Sequence, residues 1–83
     1  EQIEARIVSS QARAITDDYQ AALRQFEGAP VAEQVEPSLA ALDRSVAQIQ
    51  SAIVADPDSV FLLEQLRRTY SRRLQLTQRA VLG

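Results

Sequence analysis

Cysteine, histidine, methionine, tryptophan and lysine are all missing from this 83-residue sequence, and glycine occurs only twice and proline three times. Without Cys there is no disulfide framework and no thiolate metal site, and the redox compartment is left open. With carboxylates alone, a metal site suits hard ions rather than zinc or copper, and none is expected. The same absences remove every Ser–His or Cys–His nucleophile pair, and Gly28 and Gly83 are too few and too far apart for a phosphate-cradling loop. No catalytic residue and no cofactor is expected. No run approaches the roughly 18 consecutive apolar residues that cross a bilayer, and no signal-peptide pattern opens the chain. The first residue is Glu1 and no Met follows, which points to a piece cut from a longer polypeptide or to a processed product.

A chain of this length is one domain at most and buries only about 60–65% of its unfolded surface, a thin margin that favours help from a partner or a second copy. The net charge of −2 hides a division. All eleven acidic residues lie at or before Glu64, against four Arg, whereas residues 65–83 hold five Arg and no acid. Such a split implies complementarity within the molecule or between subunits, or an acidic partner for the basic end.

What is present is helical periodicity. Val8, Ala12, Ile15, Tyr19, Ala22 and Phe26 recur at steps of four and three, with Ile3, Ile7 and Ala14 on the flank, and good helix formers fill the rest. Gly28 supplies a left-handed closure and Pro30 a stop, so the first helix is expected over about 2–27. The segment 29–37 is a connection with one short turn at Val31 to Val35, and Pro37 opens a second helix. Leu39, Leu42, Val46, Ile49 and Ile53 form a heptad-like seam flanked by alanines, while Asp43, Arg44, Gln48, Gln50 and Ser51 are expected on a solvated outer face.

That seam stops at Ala55-Asp56-Pro57-Asp58-Ser59 and an apolar run resumes at once. The residue before a proline is pushed out of helical angles, and Pro57 has no N–H to donate. Asp58 or Ser59 can accept from the free N–H groups of the next turn. The second helix is therefore expected over 37–55 and a third over 59–82, folded back as an antiparallel hairpin. Leu62, Leu63, Leu66, Tyr70, Leu74, Thr77 and Val81 form its inner stripe. Glu64 is expected to pair with Arg68 one turn on. The fold class that follows is all-α, a three-helix antiparallel arrangement with the hairpin at 37–82, in which the first helix completes a bundle or reaches to a second subunit.

Asp17/Asp18 and Asp56/Asp58 are paired carboxylates, read here as a solvated face and a turn-and-cap pair. The cluster "RRTYSRR" (67–73) sets guanidinium groups beside an aromatic ring, as nucleic-acid binders do. Tyr70 belongs to the inner stripe, however, and the acidic remainder repels phosphate, so no nucleic-acid partner is expected. Arg68, Arg72 and Arg79 point away from the inner stripe, and Phe61 and Leu76 lie off it. With Tyr19 and Phe26 these are the candidate interaction residues. The expected partner is another protein or a second copy in a homodimer.

Residues 41–80, "ALDRSVAQIQSAIVADPDSVFLLEQLRRTYSRRLQLTQRA", resemble the C-terminal stretch of membrane-tethered bacterial anti-sigma factors of the zinc-finger type. The likeness is one of pattern: an alternating apolar helix, an Asp-Pro turn, and a Leu- and Arg-rich terminal helix. It covers about half of the chain. In that family a cytoplasmic N-terminal part holds the sigma factor, one helix spans the membrane, and the C-terminal part lies outside for sensing or assembly. The chain lacks the zinc-ligating Cys and His and the membrane helix. The resemblance thus implies the periplasmic part of an inner-membrane regulator of transcription, attached through a segment absent from this chain. Ile49, Ala52, Pro57, Leu66 and Tyr70 also match the spacing of a tetratricopeptide hairpin, with Arg67 where that repeat has a small Gly. A cytoplasmic adaptor of that kind, or a coiled-coil oligomerisation domain, is the alternative.

Overall fold

A computed structural model describes the backbone of residues 2–82 and the side chains of all of these except 2, 4, 5 and 82. It contains three α-helices, α1 (Gln2–Arg24), α2 (Glu36–Ala55) and α3 (Val60–Leu82), and one 3₁₀ turn at Glu33–Val35 before α2. The described residues form no strand. The all-α three-helix reading is thereby shown.

No Gly or Pro interrupts α1, and its 4–3 stripe turns inward: Val8 and Ile15 are buried, with Ala12 and Tyr19 packed against the core. The helix ends at Arg24, three residues earlier than expected. Beyond it the N–H groups of Gln25, Phe26 and Glu27 donate to Ala22, Leu23 and Arg24 at 3.2, 3.0 and 3.2 Å, bonds that span three residues rather than four. The chain is winding tighter there because Gly28, at φ +80°, must reverse it, a conformation natural to glycine alone.

Pro37 sits in the first turn of α2, where its missing N–H leaves nothing unbonded. The helix closes on Asp56, whose N–H donates to Ala52 O at 2.9 Å. After Pro57 the Ser59 hydroxyl accepts from Leu62 N–H at 3.2 Å, which makes Ser59 the cap that starts α3. With so short a turn α3 must double back along α2.

The core consists of Val8, Ile15, Val46, Ile53, Leu63, Leu66 and Tyr70, drawn from all three helices, and Leu66 alone among them is wholly enclosed. Both α1 and α2 pack chiefly on α3 rather than on each other. The first helix therefore completes the arrangement within one chain. Thr16 lies level with Gln50 and Tyr70, and Leu23 and Glu27 level with Leu39, Asp43 and Thr77, so successive helices alternate in direction and α1 runs parallel to α3. At 1.5 Å per residue α1 and α3 are each about 34 Å long. The molecule, with its connections, measures 45 Å along its longest axis. On the flank of the α1 stripe Ile3 is 71% and Ile7 50% exposed, although Val8 beside them is buried.

Candidate interaction surfaces

Because α1 and α2 rest chiefly on α3, an open groove of about 610 Å³ runs between them, bridged at one end where Gln50 reaches Thr16. Thr16, Gln20 and Leu23 line the α1 wall, Asp43, Ala47 and Gln50 the α2 wall, and Tyr70, Arg73 and Thr77 the floor on α3. Val54, 83% exposed, follows Ala47 and Gln50 at the same helical spacing but lies beyond the residues that line the groove.

Two polar clusters join the walls to the floor. Gln50 Nε2 donates to Thr16 Oγ1 at 3.2 Å and to the Tyr70 hydroxyl at 3.4 Å, which also accepts from Gln20 Nε2 at 3.4 Å. Tyr19 stacks on the Tyr70 ring, with centroids 5.4 Å apart and planes 5° from parallel. One turn further along, Arg73 Nε donates to Asp43 Oδ1 at 2.8 Å and a second guanidinium nitrogen donates to the Thr77 hydroxyl, which itself donates to Arg73 O at 2.9 Å. No buried side-chain polar atom among the described residues lacks a partner. The groove is thus preorganised: its polar groups are already held in place by one another.

Two expectations are corrected here. Gln50 does not belong to a solvated outer face: it is half-buried and bridges all three helices, while Asp43 is exposed as expected but also ties α2 to α3 through Arg73. Glu64 pairs with Arg67 at 2.7 Å, three residues on, and not with Arg68. Both spacings bring side chains together on a helix, and the shorter one won.

Of the candidate interaction residues, Tyr19 is half-buried and spent on the Tyr70 stack, and Phe26 is half-buried in the turn at the groove's end. Leu76 is half-buried, whereas Phe61 is 69% exposed. Arg68, Arg72 and Arg79 are exposed on the outer side of α3. The structure does not gather the seven into one site: Phe26 belongs to the groove, the three Arg and Phe61 to the opposite face. The groove residues Thr16, Gln20 and Gln50 were missed, although each directly follows a core or stacking residue (Ile15, Tyr19, Ile49). A polar residue one step past an apolar stripe projects to its flank, and three such flanks converge here.

The Asp56/Asp58 pair lies exposed in the hairpin turn. A side-chain hydrogen bond with Asp58, then desolvation and the neighbouring negative charge, hold the Asp56 carboxyl above its ordinary 3.8. Among the described residues no three acidic side chains converge as metal ligands would, and no helix is long and apolar enough to cross a membrane. Comparison with protein-family models, with curated proteins and with solved structures gives no match to this chain.

Proposed function

We propose that the chain is a non-catalytic helical protein-interaction module, the periplasmic part of a membrane-tethered anti-sigma factor, acting on transcription through helix packing. One observation carries the interaction reading: an open, preorganised groove of about 610 Å³ between two helices that share a third as its floor. An amphipathic helix laid into such a groove buries its apolar face on both walls, the helix-in-groove mode of recognition. Its apolar face would meet Leu23, Leu39 and Ala47, and its polar edge the Gln20, Gln50 and Arg73 side chains. The regulator reading is supported by the resemblance of residues 41–80, a stretch that holds the α2–α3 hairpin and its Asp-Pro turn. The membrane anchor in this reading belongs to sequence outside residues 1–83.

The test uses the full-length natural protein. A reporter active only outside the cytoplasm, fused after Gly83, is expected to be active. Ala47→Glu, which sets a charge on the exposed groove wall, is expected to alter expression of the controlled genes while the isolated chain melts as before. Reporter activity confined to the cytoplasm overturns the periplasmic assignment. Unchanged transcription on both Ala47→Glu substitution and removal of residues 1–83 overturns the regulatory one.

A further inference from the structure

On the face opposite the groove, α3 carries a second lengthwise stripe. Phe61, Gln65, Arg68, Arg72, Leu76 and Arg79 follow one another at steps of four, three, four, four and three. This is the register in which a straight helix is met by another helix. Nothing inside the fold explains the three arginines. The ion pairs among the described residues use Arg67 and Arg73, and none involves Arg68, Arg72 or Arg79.

Beside this stripe α2 and α3 leave a cleft of about 310 Å³. Ser45 and Gln48 form one side, Gln65, Arg68, Thr69 and Arg72 the other, and Ile49 is half-buried at its floor. No carboxylate lines it, although the chain has eleven. Two guanidinium groups one helical turn apart, with hydroxyl and amide groups between them, are complementary to carboxylate side chains, which arginine binds through two parallel N–H donors. On the α2 side the neighbours are small, with Ala41 and Ala52 along the same edge, so another backbone can approach closely.

We propose that this face docks an acidic helix of a partner protein, lying along α3 with carboxylates seated at Arg68, Arg72 and Arg79 and an apolar residue over Phe61. The proposal rests on the reading of the chain as a protein-interaction module and names a second face, with its own partner chemistry. Shape selects a helix over a lipid surface: the guanidinium groups flank a concavity that a projecting side chain enters and a flat headgroup layer spans. Charge selects a compact acidic segment over a nucleic acid, because a duplex wide enough to cover the stripe also meets the acidic remainder of the molecule.

The test is a nuclear magnetic resonance titration of the 83-residue chain at low and at physiological salt. The probe is a synthetic amphipathic helix with Glu at three positions spaced four and seven apart and Leu seven residues before the first. Its counterpart with Lys for Glu, a short DNA duplex and phosphatidylglycerol vesicles serve as comparisons. The Glu peptide is expected to bind, to shift the amides of Ser45, Gln48, Ile49, Gln65 and Thr69, and to weaken with salt. The double variant Arg68→Gln/Arg72→Gln is expected to bind at least tenfold more weakly with an unchanged melt, and Arg13→Gln on α1 to bind as the parent does. No binding of the Glu peptide at low salt overturns the proposal. So does binding that the double variant retains, or Arg-dependent binding of DNA or vesicles in place of the peptide. Dimerisation of the chain that Arg72→Gln abolishes also overturns it, by making a second copy the occupant. Each of these results leaves the groove and its transcriptional test untouched.

Discussion

Replacing Leu66 by alanine removes three heavy atoms from the one core side chain with no exposed surface, at the level where α1 and α2 both bear on α3. Alanine is the better helix former, so any loss comes from packing and not from helix propensity. Burying leucine contributes roughly 2–3 kcal/mol of transfer free energy, and the cavity term brings buried Leu→Ala to about 2–5 kcal/mol. A site walled by three helices collapses poorly, which places Leu66→Ala in the upper half of that range. At about 0.05–0.15 kcal/mol per residue a domain of this size holds only about 4–12 kcal/mol in all. The variant therefore surrenders a large part of its stability, and at about 4–8 °C per kcal/mol its Tm falls by roughly 14–40 °C. Far-ultraviolet circular dichroism followed through thermal and urea melts reads this directly. Leu66→Met, which nearly conserves volume, is expected to cost less than about 1.5 kcal/mol, and Val60→Ala, at an exposed site on the same helix, to stay within about 0.5 kcal/mol. A loss below about 1 kcal/mol for Leu66→Ala would refute the placement of α3 between the other two helices.

Gln50→Ala is expected to cost about 1–2 kcal/mol in urea unfolding, for the two hydroxyl partners it abandons, and to couple non-additively with Tyr70→Phe by about 0.5 kcal/mol or more; strict additivity would break the network. At Gly28 an added Cβ meets nothing within 4 Å, so Gly28→Ala tests backbone strain by itself. It is expected to cost about 1 kcal/mol, and Gly28→Asn less, since Asn tolerates the left-handed region; equal costs speak against that cause. For Asp56 the folded chain keeps its carboxyl proton to higher pH than the unfolded chain does, so the pair favours the fold less as pH rises through the folded pKa of Asp56. Asp58→Asn is expected to bring Asp56 back toward 3.8 in a carboxyl-carbon titration, and an unmoved titration assigns the shift elsewhere.

The hairpin was legible because its signals are local and redundant. Pro57 ends one helix whatever surrounds it, Ser59 starts the next with its own hydroxyl, and the 3–4 spacing of Val46, Ile53, Leu63, Leu66 and Tyr70 marks the sides that meet. The groove was not, since periodicity says which side of a helix is apolar and not how far apart two helices stand on a third. Gln50 shows the limit well: read along its own helix it is a polar residue beside the seam, and only the approach of Thr16 and Tyr70 gives it two partners. The end of α1 was misplaced for a related reason, the left-handed Gly28 having tightened the turn before it. Glu64 had two arginines within reach, and sequence spacing alone does not choose between rotamers.

Since α3 is the shared bearing surface, its inner residues answer to two neighbours and those of α1 and α2 mainly to one. A change at Leu66 or Tyr70 has to be accommodated on both sides at once, whereas most positions of α1 and α2 answer to α3 alone, Thr16 and Gln50 being an exception. Lineages of this fold are accordingly expected to diverge fastest in the outer pair and to hold the third helix nearly still.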